Sequence, residues 1–218
     1  MTPLAVDARL MGPWCGQCPI HLDALLAAAC AARDNIPPAA HAGEMVDIEI
    51  PIERSACGRY HLASVGFSAV EERELKYINR RFPIAEAQFM GDAKLKRINL
   101  AAGPQKHYRV PVETRHAASD LITWWCVGDR SEIERLLALV THVGRRRAVG
   151  LGRVREWSVT ACEAWPGFPV LSAEGAAMRN LPLDVEGLGE HRLRRERVTY
   201  PYWLHEGREA IATPQVSL

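Results

Sequence analysis

The segment from residue 120 to residue 160 constrains the fold more than any other part of the chain. The run Leu121–Val127 is apolar, aromatic and β-branched, which predicts a buried strand. Ser131 and Glu134 match a capping box, a side-chain pair that satisfies the first backbone amides of a helix. Apolar residues then recur at helical spacing until Gly144, which is expected to end the helix, and Val154 begins another strand-like run. The segment therefore predicts a strand, a helix and a second strand.

The first part of the chain carries a similar alternation of patterns. Leu4–Leu10 alternates apolar and polar residues, as a half-buried strand does, and Ile20–Arg33 has its leucines and alanines on one helical face. Further strands are predicted at Val46–Ile52, His61–Phe67 and Tyr108–Val112. The order strand, helix, strand, strand, helix, strand is that of an α+β, ferredoxin-like (RRM-like) fold with an elaborated middle.

Three segments complete the predicted organisation. The first is a ferredoxin-like domain over residues 1–165. It contains an insertion at about 71–105 that is basic and weakly periodic, which we interpret as a projecting helix or loop. Residues 166–218, with scattered prolines and glycines, are predicted to be a C-terminal extension that packs on the core.

The charges are segregated although the net charge is only +1. Between Arg73 and Arg115 there are ten basic residues and four acidic ones. A second basic block lies between Gly144 and Arg155, and a third between Arg192 and Arg197. Such clustering is typical of proteins that bind polyanions, although solvated helix and loop faces remain the alternative.

The most informative local motif is the glycine-arginine loop, residues 144–153, between the predicted helix and the last strand. Glycines allow positive φ and bring bare amides close to a ligand, and successive amides can form an anion-binding concavity. The planar guanidinium group of arginine can donate two hydrogen bonds to one phosphate. The motif lacks the Gly-Lys-Ser/Thr ending of a nucleotide P-loop, and it follows a helix, which argues against a dinucleotide site.

Cysteines raise a separate possibility at the start of the chain. Cys15 and Cys18 form a CxxC motif, which is half of a zinc site, and no second pair stands at a suitable spacing. A structural turn, a zinc site and a redox role all remain open here. No run approaches the roughly 18 apolar residues of a membrane span, and the first residues lack the pattern of a secretion signal, so a cytoplasmic protein is expected. No cofactor is expected, and no residues are assigned to a metal.

The glycine-arginine loop, followed by a strand with Trp157, resembles the glycine-rich loop of the RAMP superfamily of CRISPR-associated proteins. The wider run Trp124–Trp157 is similar to the small RAMP subunit of type IV CRISPR systems, in the group that caps the 5′ handle of the guide RNA. Leu22–Leu26, Arg97–Leu100 with Gly103 and Pro104, and Pro201–Trp203 look like the same subunit.

This resemblance implies a RAMP core and a non-catalytic, RNA-binding subunit at one end of a guide RNA (crRNA). It implies the repeated backbone subunit and the large subunit as partners, and it leaves contact with target DNA open. Phosphate contacts and stacked bases are the usual means of holding single-stranded RNA, and Tyr202 and Trp203 are further candidate stacking platforms. The predicted RNA-binding residues are Gly144, Arg145, Arg146, Arg147, Gly150, Gly152, Arg153, Arg97, Lys96, Lys106 and Tyr108.

Two alternative functions remain. Some relatives cut the guide precursor without metal, which requires a general base, a general acid and a cation. Candidates are Lys106, His107 and Tyr108, with His21, His61 and His116 as other histidines. Strand alternation, however, would point His107 away from its two neighbours. The third hypothesis is an architectural subunit whose basic surfaces contact acidic proteins.

Overall fold

The structure, a computed structural model, describes residues 1–16, 19–36, 48–81, 99–102 and 106–214. Within these ranges, two helices and eight strands confirm the α+β class. The helices are α1 (Leu22–Arg33) and α2 (Arg130–Leu137), and the strands are β1 (Thr2–Leu10), β2 (Val70–Arg80), β3 (Tyr108–Ala117), β4 (Leu121–Gly128), β5 (Val154–Ala161), β6 (Leu181–Pro182), β7 (Arg192–Glu196) and β8 (Glu209–Thr213). The chain forms two compact units, a larger one of residues 1–72 with 115–218 and a smaller one of residues 73–114.

The central sheet of the larger unit has the order β4-β1-β5, and β1 pairs antiparallel with both neighbours. Strand alternation places Leu4, Val6, Ala8 and Leu10 on one face, and all four are fully buried. Trp124, which pairs with Val6, lies on the same face. The predicted strands at Leu4–Leu10 and Leu121–Val127 are therefore confirmed.

Both helices contribute apolar side chains to the hydrophobic core of this sheet. Helix α1 buries Leu22, Leu26 and Cys30, and α2 buries Ile133 and Leu136, at the spacings that place residues on one helical face. Burial of such aliphatic side chains contributes roughly 1.5–3 kcal/mol each. The apolar stripes identified in the sequence thus position both helices.

The ends of α2 differ from the prediction. The N-cap is Asp129, whose side chain accepts the Glu132 amide, while Ser131 donates its hydroxyl to Asp129 instead of capping the helix. The helix ends at Leu137, because the amide of Val140 bonds the Leu137 carbonyl in a tighter turn. The prediction that Gly144 ends the helix was wrong.

The predicted strands on either side of residue 55 are replaced by isolated bridges. Residues 46 and 47 lie outside the described part, and 48–52 form no strand apart from a bridge of Ile52 to Gly128. In the second segment Ala63 and Phe67 bridge to β4, whereas Val65 bridges to His21. A continuous ladder does not form because alternate residues pair with different partners.

The smaller unit contains most of a two-stranded ribbon of β2 and β3. The described part of the insertion predicted at about 71–105 therefore begins with a strand, where a helix or loop was expected. Charged residues occupy much of β2, and its described side chains are exposed or half-exposed. The strand therefore lacks the regular alternation of apolar residues that would reveal it in the sequence. Pairing with β3 stabilises this strand, and Thr114 adds a hydroxyl bond to the Glu74 carbonyl at 3.1 Å.

A second, smaller sheet was not predicted. Its order is β6-β8-β7, antiparallel throughout, with Leu181, Val170 and Ala212 in a small apolar cluster. The division into a domain at 1–165 and an extension at 166–218 stays a prediction. Among the described residues, neither helix is long and apolar enough to cross a lipid bilayer.

Candidate nucleic-acid interface

The glycine-arginine loop belongs to the larger unit, and a narrow neck of backbone hydrogen bonds joins its two ends. The Val143 amide donates to the Gly152 carbonyl at 2.8 Å, and the Val154 amide donates to Thr141 at 2.9 Å. His142 and Arg153 face each other as an antiparallel bridge between these bonds. The neck therefore closes the loop at the point where the chain enters β5.

Two of the loop glycines are required by close backbone contacts. A Cβ on Gly144 would lie 2.5 Å from the Cys15 carbonyl oxygen, and one on Gly152 would lie 2.0 Å from that of Val143. Both residues also have positive φ, of 76° and 69°. Their main role is thus to let the loop pack against the β1–α1 connection and its own neck.

Several loop amides are already used within the protein. The Arg145 amide donates to Cys15 at 2.6 Å, and the Gly152 amide donates to Pro13 at 2.9 Å. Within the loop, Gly150 donates to the Arg147 carbonyl at 2.9 Å. These three amides are not available to a phosphate, so any anion binding here relies more on side chains than the sequence suggested.

The arginine side chains, by contrast, lie in solvent. Arg145, Arg146, Arg147 and Arg153 are all exposed. Among the described residues, no carboxylate forms an ion pair with Arg146, Arg147 or Arg153. Arg146 also has the left-handed conformation, φ 60° and ψ 34°, which costs a non-glycine residue of order 1–3 kcal/mol. The loop thus presents a dense group of cations held in a defined backbone conformation.

The remaining predicted contact residues are not part of this loop. Lys106 and Tyr108 lie in the unit formed by residues 73–114, and both are exposed. Lys96 and Arg97 lie outside the described residues. Seven of the eleven predicted residues therefore lie in the glycine-arginine loop itself, where they are close in sequence.

The ribbon carries a depression of about 390 Å³ that the sequence did not reveal. The guanidinium carbon of Arg109 lies 3.7 Å from the centre of the Tyr77 ring, a cation–π contact. His107 precedes β3, so the expected strand alternation does not separate it from Tyr108. The depression is lined by Asn79, Arg81, His107, Tyr108 and Arg109. The basic composition of residues 73–115 was the only sequence signal for it.

A buried polar cluster was also missed, because its members are far apart in the chain. Asp23 on α1 contacts Arg179 at 3.1 Å and the Tyr202 hydroxyl at 2.8 Å, and the Tyr202 ring stacks on His21 at 4.0 Å. Tyr202 is half-buried, and its hydroxyl and one face of its ring make contacts within the protein. Its role as a stacking platform stays a prediction. Trp203 is half-exposed.

The pKa values in this cluster follow its burial. Desolvation lowers the pKa of His21 to about 3, so the ring is neutral at physiological pH. Burial raises the pKa of Tyr202 well above its usual range. Burial would also raise the pKa of Asp23, but the charge of Arg179 and the other partners outweigh it and lower that pKa. Because Arg179 and Asp23 are almost fully buried, their ion pair joins two distant segments inside the larger unit.

No group of three or more His, Cys, Asp and Glu residues that could hold a metal converges in the described ranges. Cys15 is a free thiol, and Cys18 lies outside the described residues, so the CxxC hypothesis stays a prediction.

The family model of CRISPR type IV associated protein Csf3 matches residues 70–214, which is more than half of the chain and includes the ribbon, the glycine-arginine loop and the second sheet. No curated protein matches the chain.

Proposed function

The chain belongs to the Csf3 family of CRISPR type IV associated proteins, and from this premise we propose that it binds guide RNA within a type IV CRISPR complex. In this proposal it is a non-catalytic subunit that caps the 5′ handle of the RNA. Its protein partners are the backbone and large subunits, and the site of action is the cytoplasm.

The glycine-arginine loop carries this proposal. Four exposed arginines lie within ten residues of one another, on a loop that backbone bonds to Pro13 and Cys15 hold in place. Guanidinium groups pair bidentately with phosphates, and neutralising phosphates releases condensed counterions. A loop that is already ordered loses little conformational entropy on binding, which favours affinity.

We also propose that the larger unit is a ferredoxin-like RAMP core. The pairing of β1 with β4 and β5, with α2 between β4 and β5, is consistent with that order of elements. The bridges from Ala63 and Phe67 to β4 occupy the position that the missing edge strand of such a sheet would take. Domain limits at 165 and 166, with the remaining residues as a C-terminal extension, belong to the same proposal.

The test is binding of repeat-derived RNA by the purified chain, measured by fluorescence anisotropy over a series of salt concentrations. The variant R145Q/R146Q/R147Q should bind more weakly. Its slope of log affinity against log salt should be smaller by about 2, because each lost phosphate contact removes roughly 0.7. The matched control R33Q/R130Q/R135Q removes three exposed arginines that pair with carboxylates elsewhere, and it should bind like the wild type. Equal affinity and slope in the loop variant would refute the site.

Nuclease activity is tested separately. For a non-catalytic subunit, incubation of the purified chain with repeat RNA in EDTA should leave the RNA intact. Two of the candidate histidines, His21 and His61, are buried. Discrete products that disappear in a His107→Gln variant would instead support the endoribonuclease hypothesis, with the ribbon depression as its site.

A further inference from the structure

We infer that β7 and the loop before β8 form a second surface that binds single-stranded nucleic acid, apart from the glycine-arginine loop. Arg192, Arg194 and Arg195 would contact backbone phosphates, and the indole of Trp203 would stack on one base. Phosphate contacts with a stacked aromatic ring are the usual way in which proteins hold single strands without reading their sequence.

The three arginines lie on the edge of the second sheet. β7 pairs with β8 alone in the order β6-β8-β7, and Arg192, Arg194 and Arg195 are all exposed. Arg194 lies 3.7 Å from Glu196, a long and solvent-exposed ion pair. Within the described ranges, no carboxylate pairs with Arg192 or Arg195. Most of the positive charge on this edge is therefore not neutralised by the protein.

An open depression of about 640 Å³ lies beside this edge, lined by Leu193, Arg194, Arg195, Arg208, Glu209 and Ala210. Its one acidic residue, Glu209, accepts two bonds from the Arg59 guanidinium at 2.8 Å. That ion pair offsets the only negative charge in the lining, so the depression as a whole is cationic. A phosphate could approach it without repulsion from an unpaired carboxylate.

Trp203 adds an aromatic ring in the loop between β7 and β8. Its side chain is 50% exposed, and it packs edge-on against Tyr200, with ring centres 5.1 Å apart. The preceding residue, Tyr202, is anchored to Asp23, which fixes the backbone that presents the indole. Arg208, which lines the depression, donates to the Leu204 carbonyl at 3.0 Å and so connects this loop to the cationic edge.

The indole favours nucleic acid over two alternative roles for the arginines. Charged residues on an edge strand discourage pairing with a second sheet, which concerns the arginines alone. An acidic protein segment would also suit the charges, yet it would not need an aromatic face. Backbone phosphates and an unpaired base together use both features.

The experiment uses fluorescein-labelled 15-nucleotide oligouridine and oligothymidine with the full chain. In the variant R145Q/R146Q/R147Q, residual binding through the β7 surface should remain measurable. Both oligonucleotides should show it, because the proposed surface makes no contact with the 2′-hydroxyl that distinguishes RNA from DNA. Adding R192Q/R194Q/R195Q should abolish that binding, and adding Trp203→Leu should weaken it about tenfold, within the range known for loss of one stacked base. Adding R33Q/R130Q/R135Q should leave it unchanged.

Photocrosslinking gives a measurement that does not depend on folding of the variants. Oligonucleotides carrying 5-iodouridine should crosslink the wild-type chain at Trp203 at low salt concentration. Equal binding after the β7 substitutions, with crosslinks confined to other segments, would overturn the inference. A β7 variant that binds both oligonucleotides normally but no longer assembles with its complex would likewise overturn it, in favour of a protein partner. Because the effect of the loop substitutions is measured before the β7 substitutions are added, failure of this inference leaves the proposed loop site unaffected.

Discussion

The carboxylate of Asp23 and the guanidinium of Arg179 form an ion pair of 3.1 Å between the first helix and a segment more than 150 residues later in the chain. Both side chains are almost fully buried. Arg179 also donates to backbone carbonyls of His61, Ala63 and Val198, so its charge and its hydrogen bonds are satisfied together. A buried cation with this many acceptors is costly to disturb, because each acceptor would lose its partner.

Replacing Arg179 by methionine should lower the free energy of unfolding by about 3–5 kcal/mol, because Asp23 is then left buried without its cation. The measurement is urea unfolding followed by tryptophan fluorescence. Arg59→Met is the control. That side chain is partly exposed and pairs with Asp184 and Glu209, and its loss should cost about 1 kcal/mol or less. Equal losses in the two variants would contradict a structural role for the buried pair.

Stability should fall with acid below pH 6.5 because of His21. Its pKa is about 3 in the folded state and 6.5 in the unfolded state, so only the unfolded state gains the proton in between. The contribution is about 1.4 kcal/mol for each pH unit, or roughly 2 kcal/mol between pH 6.5 and pH 5. The check is urea unfolding of wild type and His21→Phe over this interval. Phenylalanine keeps the stacking on Tyr202, and this share of the pH dependence should disappear.

Asp23 contributes in a lower pH range. Its pKa is lowered on folding, so its contribution is present above the ordinary value of 3.8 and is lost as the pH falls further. A wild-type protein whose loss of stability began only below pH 4 would therefore contradict the prediction for His21.

The loop glycines should differ in their tolerance of alanine. Gly150→Ala adds a Cβ in open space at a φ of 84°, which should cost about 1 kcal/mol. Gly152→Ala places the Cβ against the Val143 carbonyl oxygen, so the neck must move, and the loss should be several times larger. Thermal unfolding of the two variants compares them. Similar unfolding midpoints for the two variants would show that the neck adapts to the added Cβ. Glycine would then be needed at position 152 only for its positive φ.

Tyr108 on the ribbon should contribute to RNA affinity. The ring is 42% exposed beside Arg109, and loss of one stacked base costs about 1–3 kcal/mol. Tyr108→Ala should therefore weaken binding of repeat RNA in the anisotropy assay. Leu75→Ala, which removes another exposed side chain from the same ribbon, should have no effect. Loss of affinity in both variants would indicate a general disturbance of the ribbon.

Local pattern was informative wherever one face of an element is buried. The alternation in Leu4–Leu10 and the apolar stripe of α1 appear directly in the sequence, because each follows from packing against one core. The glycine-arginine loop was also identifiable, because its glycines and its clustered arginines can be read directly from the sequence. The sequence did not show that the carbonyls of Pro13 and Cys15 accept hydrogen bonds from this loop. These bonds decide which loop amides remain free to bind an anion.

Tertiary structure alone decided the features that join distant parts of the chain. The β2 strand has no apolar period, so only its pairing with β3 makes it a strand. Nothing in the sequence distinguishes Asp23, Arg179 and Tyr202 from ordinary surface residues. In the folded chain they are joined by hydrogen bonds in one network. The resemblance to the family, the apolar faces and the glycine-arginine motif could all be read from the order of residues along the chain. Which charges remain in solvent and which are buried depends on contacts between segments, and only the folded chain brings those together.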